Sequence, residues 1–211
     1  MSTPGNIEYP VKIVSDLHYR IIGGKLKSKN AVRPIFEGFR TIILNGDSVE
    51  QHLYGLIRAE CHKAELIQVA RDVGATLVFL RGNHDPSIGP SEYEIKNRDR
   101  TIRIMHGDFG LIQLNVADYG AHRRPLSFLW YTLRTFRSYP VYWRQIEMAK
   151  NRMQDNEVYV LGHTHQPSLS VIGSKSVVNL GAHMRGFADA WIEIPIEHGP
   201  VRLAGKLHGE V

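Results

Sequence analysis

Cysteine is almost missing from this chain: Cys61 stands alone among 211 residues. An internal disulfide is therefore excluded, the fold must rest on a hydrophobic core, and a reducing cytoplasm is the expected compartment. Lying within a helical pattern, Cys61 reads as a small buried or half-buried residue rather than a nucleophile. Long apolar runs are missing too. No stretch approaches the roughly 18 residues that a transmembrane helix needs, and Met1 to Pro10 lacks the basic-then-apolar order of a secretory signal. The chain has no internal repeat, low-complexity tract or Pro/Ser linker, so it reads as one domain over 1–211. Acidic residues are in the minority, 21 against 26 Lys and Arg, and the resulting +5 favours anionic partners without naming one. With 43% hydrophobic and 22% charged residues the chain can bury a core, which excludes general disorder.

Histidine, by contrast, is abundant, with 11 residues, and five of them follow apolar runs. Segments rich in β-branched and aliphatic residues predict strands at Val11–Ser15, Thr41–Asn45, Thr76–Leu80, Thr101–Met105 and Glu157–Leu161. An amphipathic helix is expected over Gln51–Val73, closed by Gly74. Strand, helix, strand in that order implies a right-handed crossover and an α/β core. Beyond Gln166 the pattern changes to short strands without helices, at Leu169–Ile172, Ser176–Leu180, Ala190–Ile194 and Val201–Leu207, expected to form a second and more antiparallel sheet. The Arg20–Asn30 stretch reads as a glycine- and lysine-rich loop.

A polar cluster follows each of the five strands: Asp16-Leu17-His18, Gly46-Asp47-Ser48-Val49-Glu50, Gly82-Asn83-His84-Asp85, His106-Gly107-Asp108 and Gly162-His163-Thr164-His165. Any one of them alone is ordinary turn chemistry or a core histidine. Five together, each just past the carboxyl end of a strand, converge on one crevice. Carboxylate, carboxamide and imidazole donors without thiolates suit Mn²⁺, Fe²⁺ or Zn²⁺ and argue against a structural zinc site, and there are donors enough for two ions.

Taken together these clusters resemble the calcineurin-like metallophosphoesterases, over Asp16 to His165. The resemblance implies an α/β two-sheet αββα sandwich with a helical insertion. It also implies one metal on Asp16, His18, Asp47 and His165, and a second on Asp47, Asn83, His106 and His163, with Asp47 bridging and Mn²⁺ the foremost candidate. His84 would contact the phosphate and donate a proton to the leaving oxygen, with Asp85 orienting its ring. The family chemistry is sound for a phosphate ester, because two cations about 3.5–4 Å apart lower the pKa of a bridging water and neutralise the phosphoryl oxygens. Glu50 stands where many members have Asp or Asn, outside the implied ligand set. His183 reads as a loop histidine that could approach the site from the second sheet.

Between about 118 and 155 the strand rhythm stops and an insertion is expected, helical, basic and aromatic. From Gly120 to Arg152 it carries Arg123, Arg124, Arg134, Arg137, Arg144, Lys150 and Arg152 against the single acid Glu147, together with Trp130 and Trp143, two of the three tryptophans. Such a mixture describes a membrane-interface surface or a lid over a lipid with an anionic head, unless the rings simply pack on the core. Arg134, Arg137, Trp130 and Trp143 are its candidate substrate contacts. An insertion of this kind resembles the UDP-diacylglucosamine pyrophosphatases of bacterial lipid A synthesis, although that branch has arginine at the position of His84. Three functions stay open at this point: hydrolysis of a lipid-linked phosphoester or pyrophosphate with peripheral contact to an anionic membrane; hydrolysis of soluble nucleotides or nucleic acid; and a metal-binding scaffold without turnover.

Overall fold

The computed structural model describes residues 7–21, 24–109, 143–183, 189–205 and, for the backbone, 209–210. Two sheets lie face to face. The first contains β1 (Val11–Val14), β2 (Thr41–Asn45), β3 (Thr76–Leu80), β9 (Ala190–Ile194), β10 (Arg202–Gly205) and β11 (Gly209–Glu210), in the order β11-β10-β9-β1-β2-β3. The second contains β4 (Glu92–Asn97), β5 (Arg100–Met105), β6 (Glu157–Leu161), β7 (Ser168–Ile172) and β8 (Lys175–Asn179), in the order β4-β5-β6-β8-β7. Strands β1, β2 and β3 run parallel, as do β5, β6 and β8, while the flanking strands pair antiparallel.

Strand periodicity explains the layers. Val11, Ile13 and Ile43 of the first sheet and Ile102, Ile104, Val158 and Val160 of the second point inward and form the core between the sheets. The alternate residues Val14, Ile42 and Leu44 point the other way, onto Val32 and Phe36 of α1 (Lys29–Phe36) and Leu66 and Val69 of α3 (Leu56–Asp72). On the far face of the second sheet Tyr159, Leu161 and Val177 pack against Ile146, Ala149 and Met153, which belong to or follow the helical residues 143–152. The result is an αββα sandwich. Both faces of the central strands are covered, which is why they read as continuous apolar runs instead of alternating ones.

Several details depart from expectation. The helix expected over Gln51–Val73 is two helices, α2 (Gln51–Tyr54) and α3, because Gly55 at φ 79° breaks the chain between them. The later strands divide between the sheets: β7 and β8 join the second, whereas β9 and β10 extend the first antiparallel to β1. Cys61 is exposed on α3, not buried. Strand β4 and helix α1 were not foreseen; Glu92, Glu94 and Lys96 fill the β4 strand with charge, and α1 carries Pro34 within it. Of the insertion expected at about 118–155, residues 118–142 fall outside the described residues, Trp130, Arg134 and Arg137 among them.

The two sheets are tied at the end that matters by Asn45, the last residue of β2. Its side-chain amide donates to the carbonyls of Met105 (3.0 Å) and Val160 (3.2 Å), across the interface, where β5 and β6 end. Asn45→Ala leaves two buried carbonyl groups without these donors. At about 1–3 kcal/mol for each unsatisfied group, urea unfolding should show a loss of at least about 2 kcal/mol, and a loss under about 0.5 kcal/mol would contradict this role.

Candidate metal centre

Parallel strands in both sheets point the same way, so their carboxyl ends deliver the five polar clusters to one place. The turns after β1 and β2 run side by side, with Asp16 N–H donating to Gly46 O (3.2 Å) and His18 N–H to Asp47 O (2.9 Å). The turns from the second sheet close on them: His163 N–H donates to Asp16 Oδ2 (3.1 Å) and Gly162 N–H to His106 O (3.0 Å). A Cβ on Gly162 would collide with the Ser15 hydroxyl and lie 2.7 Å from Asp16 Oδ2, so only glycine allows this approach. Asp16 (φ 53°), His18 (45°), Asp47 (49°), His163 (72°) and His165 (59°) all occupy the left-handed region. That conformation is uncommon in residues with a side chain, costs of order 1–3 kcal/mol each, and concentrates at functional sites.

Three groups of potential ligands result, His18 with Glu50 and His84 among them, and the other two match the implied ion sites. In the first of these two, His165 Nε2 lies 3.1 Å from Asp16 Oδ1 and 3.3 Å from His18 Nε2. In the second, His106 Nε2 lies 3.2 Å from Asp47 Oδ2 and 3.1 Å from Asn83 Oδ1, which is also 2.7 Å from His163 Nδ1. Within Asp16, His18 and His165, and within Asp47, His106 and His163, the ligand atoms lie within 4.8 Å of one another.

The donors fit divalent cations on three counts. His18 Nδ1 and His106 Nδ1 each face an oxygen that only accepts, a Glu50 carboxylate oxygen at 2.5 Å and the Asn45 carbonyl at 3.0 Å. Each nitrogen therefore carries its proton there, and in the neutral ring Nε2 presents a lone pair to the crevice. Asp16 Oδ1 is buried and accepts no hydrogen bond. Lone pairs of nitrogen and oxygen that face one another at about 3 Å repel unless positive charge lies among them. No thiolate takes part, which matches the preference of harder ions.

The charge balance points the same way. Burial works against an ionised Asp16, but the positive charge of His165 and His106 outweighs it and holds the carboxyl at about 2. Asp47, buried likewise, is held well below the usual carboxylate range by His106 and His84. Burial disfavours a charged imidazole, yet the Glu50 hydrogen bond and nearby carboxylates raise His18 to about 9, while Asp47 and Asp16 raise His106 to about 10. His163, buried and repelled by His106, falls to about 4. This is a pocket of negative potential that attracts cations or protons.

Glu50 has a larger part than expected. It is buried, with Oε1 accepting from His18 Nδ1 (2.5 Å) and Oε2 from His84 Nδ1 (2.8 Å). These two bonds outweigh its burial and keep it ionised, at about 2. The expectation that Asp85 orients the His84 ring is corrected here: that hydrogen bond belongs to Glu50. The oxygens of Asp85 accept from the backbone N–H groups of Asp47 (3.0 Å), Ser48 (2.7 Å), Val49 (3.3 Å) and Gly82 (2.7 Å). Asp85 thus binds the β2 turn to the β3 turn; burial and the charge of Asp47 lift it to about 6 against those bonds.

Asp16, His18, Asp47, Asn83, His106, His163 and His165 are brought together, and His84 lies beside them, its Nε2 3.9 Å from Asp47 Oδ2 and its ring centroid 5.0 Å from that of His18. His183 reaches the site only through its backbone, donating to Asp16 O (3.2 Å), while its Nδ1 lies 3.8 Å from Asp189. Trp143 is 49% exposed at the start of the helical residues 143–152. Sequence reasoning missed Ser15, whose hydroxyl donates to Asp16 Oδ2 (2.5 Å) and lies 2.7 Å from Asn45 O, and Asn45 itself. The signal for both was adjacency to a cluster, masked by their reading as strand residues.

Comparison with known proteins agrees with this geometry. Residues 10–191 match the model of the calcineurin-like phosphoesterase superfamily domain. Among solved structures, YfcE, described as a phosphoesterase from E. coli, is similar at 16% identity and a TM-score of 0.53, covering 96% of this chain and 98% of that one. Vps29 from Chaetomium thermophilum is similar at 13% identity and a TM-score of 0.52, over 93% and 84% of the two chains. Vacuolar protein sorting 29 from Cryptosporidium parvum aligns over 97% of both chains at 13% identity and a TM-score of 0.50. At such identities the structural likeness speaks for the fold alone. No curated protein sequence matches the chain. The family match over most of the chain and the buried donor sets identify the protein as a member of the calcineurin-like phosphoesterase superfamily and a metal-dependent phosphoesterase.

Proposed function

We propose that the protein hydrolyses a phosphoester or pyrophosphate bond in an amphipathic, lipid-linked substrate, with Asp16, His18, Asp47 and His165 holding one divalent ion and Asp47, Asn83, His106 and His163 the other. The observation that carries the hydrolytic part is the pair of donor sets side by side with His84 beside them. Two bound ions supply the positive charge that phosphoryl oxygens require and lower the pKa of water toward neutrality. The chain's own residues do the rest. Glu50 holds His84 Nδ1–H and so fixes the ring with Nε2 facing the crevice. There an imidazolium donates a hydrogen bond to phosphate and a proton to the leaving oxygen. Asp47 N–H and Gly82 N–H both bind Asp85 Oδ1, which keeps Asn83 and His84 in register with Asp47.

The lipid-linked part is supported by the basic and aromatic content of the insertion, by the half-exposed Trp143, and by exposed Leu56 and Ile57 where α3 begins. Aromatic rings and aliphatic side chains suit acyl chains, while arginines suit phosphate or an anionic surface. A second reading, a soluble phosphodiester, is favoured by His84 itself, since a histidine donor suits an alkoxide leaving group better than a phosphate-like one. The complete set of donors argues against a scaffold without turnover. Among the described residues no helix is long and apolar enough to cross a membrane.

Three outcomes test the proposal. Metal analysis of Asp47→Ala should show loss at both sites, and unchanged content would remove the bridging role. His84→Ala should keep its metals while turnover falls by about 10²–10⁴-fold, with a smaller loss for p-nitrophenyl than for alkyl esters; equal losses would mean that His84 only positions phosphate. In a Mn²⁺-supported turnover screen over bis-p-nitrophenyl phosphate, cyclic nucleotides and UDP-linked lipids, the lipid substrate should be preferred, and Trp143→Ala should raise its KM while sparing the small diester. Preference for cyclic nucleotides, with no effect of Trp143→Ala on any substrate, would replace the lipid reading with the soluble one.

A further inference from the structure

Gln145 belongs to the helical residues 143–152, within the segment that interrupts the strand pattern, and nothing in its sequence context marks it. Yet it is buried completely, and all its polar atoms are used. Its Nε2 donates to Gly107 O (2.9 Å) and Gly162 O (3.0 Å), and its Oε1 accepts from Asn179 Nδ2 (2.5 Å). Gly107 follows His106 directly and Gly162 precedes His163, so a single carboxamide grips both turns that carry ligands from the second sheet. Strands β5 and β6 pair parallel up to Ile104 and Val160, and beyond them one backbone bond, Gly162 N–H to His106 O (3.0 Å), still joins the turns as the chains separate. Asn45 spans the start of the separation, at Met105 O and Val160 O, and Gln145 spans it two residues further on. At Gly107, φ 83°, a Cβ would come within 2.6 Å of Gln145 Nε2, so glycine there is what lets the amide approach.

We infer that Gln145 is a positioning residue for the reaction: its carboxamide sets the separation of the His106 and His163 turns and ties both to the helix that returns from the insertion. The chemistry is demanding. Two N–H donors must face the two glycine carbonyls while the oxygen faces Asn179, and among side chains of this length only an amide supplies two donors on one atom and an acceptor on the next. Without it, two buried carbonyls lose a donor and the backbone of the two turns is held together only by the Gly162 N–H to His106 O bond (3.0 Å). Both histidines reach Asn83 Oδ1, so a change in their spacing alters that donor set first; it reaches the other set only through the His163 turn, whose N–H binds Asp16 Oδ2 and which also carries His165. This inference rests on the proposed reading of His106 and His163 as ligands of one ion.

The test is calorimetric titration of the full-length metal-free protein with Mn²⁺, together with steady-state kinetics on bis-p-nitrophenyl phosphate. Wild type should bind two equivalents. Gln145→Met keeps length and volume but has no amide. It should weaken one equivalent by about 10–100-fold, the usual effect of removing an outer partner of a metal ligand, weaken the other less, and lower kcat with KM unchanged. Gln145→Glu is the second variant: it keeps the shape, but an ionised carboxylate has no proton to give and a protonated one has a single proton, so at least one glycine carbonyl loses its donor, and the same unequal weakening should follow even if Gln145→Met does not fold. Two equivalents bound as in wild type by either folded variant would overturn the positioning role. Wild type that binds no Mn²⁺ would instead overturn the proposed metal reading on which it rests.

Discussion

The molecule is organised around negative charge buried at the carboxyl ends of two sets of parallel strands. Asp16, Asp47, Glu50 and Asp85 are each at most 1% exposed and lie within one cluster of turns. An unpaired carboxylate in such a place costs several kcal/mol, so each must be answered, and each is answered differently. Asp85 receives backbone N–H groups, and Glu50 receives the Nδ1–H groups of two histidines. Asp16 and Asp47 face imidazole nitrogens whose protons are either directed elsewhere or drawn in by the carboxylates themselves. That difference divides structure from chemistry: Asp85 and Glu50 are satisfied by the chain through both oxygens, while Asp16 and Asp47 are held by chain donors through one oxygen and turn the other toward imidazole nitrogens.

Supporting this charge requires exact control over where the strands end. Covering the central strands on both faces makes them rigid and leaves their carboxyl termini as the natural places for irregular backbone. Five of the clustered residues then adopt left-handed conformations that the turns could not hold without being tied at several points. Ser15, Asn45, Asp85 and Gln145 provide the ties, each a short polar side chain bonded to main-chain groups of neighbouring turns. The strain stays local because the sandwich beneath it does not yield.

Much of this was legible in the sequence, for physical reasons. Thr41–Asn45, Thr76–Leu80, Glu157–Leu161 and Ala190–Ile194 coincide with observed strands because each is a short, largely apolar run ended abruptly, by polar residues or glycine in the first three and by Pro195 in the last. The meeting of the five clusters followed from their position after strands. The distribution of strands between sheets was not legible, since β8 and β9 are both short strands in a run without helices and only tertiary pairing separates them. The partner of His84 was assigned to Asp85 by proximity in sequence, but the carboxylate in reach of the ring comes from the β2 turn, at Glu50. Gln145 left no trace, because a glutamine in a basic and aromatic helix looks like a surface residue until the turns it binds are placed.

The central proposal is that the two donor sets hold two ions close enough to share Asp47. Electron paramagnetic resonance of the protein loaded with two equivalents of Mn²⁺ tests it most directly, because unpaired spins bridged by one carboxylate couple. The account predicts an exchange-coupled spectrum that replaces the six-line signal of an isolated ion as the second equivalent is added. Two equivalents that each give an isolated six-line signal, or a protein that takes up only one, would contradict it.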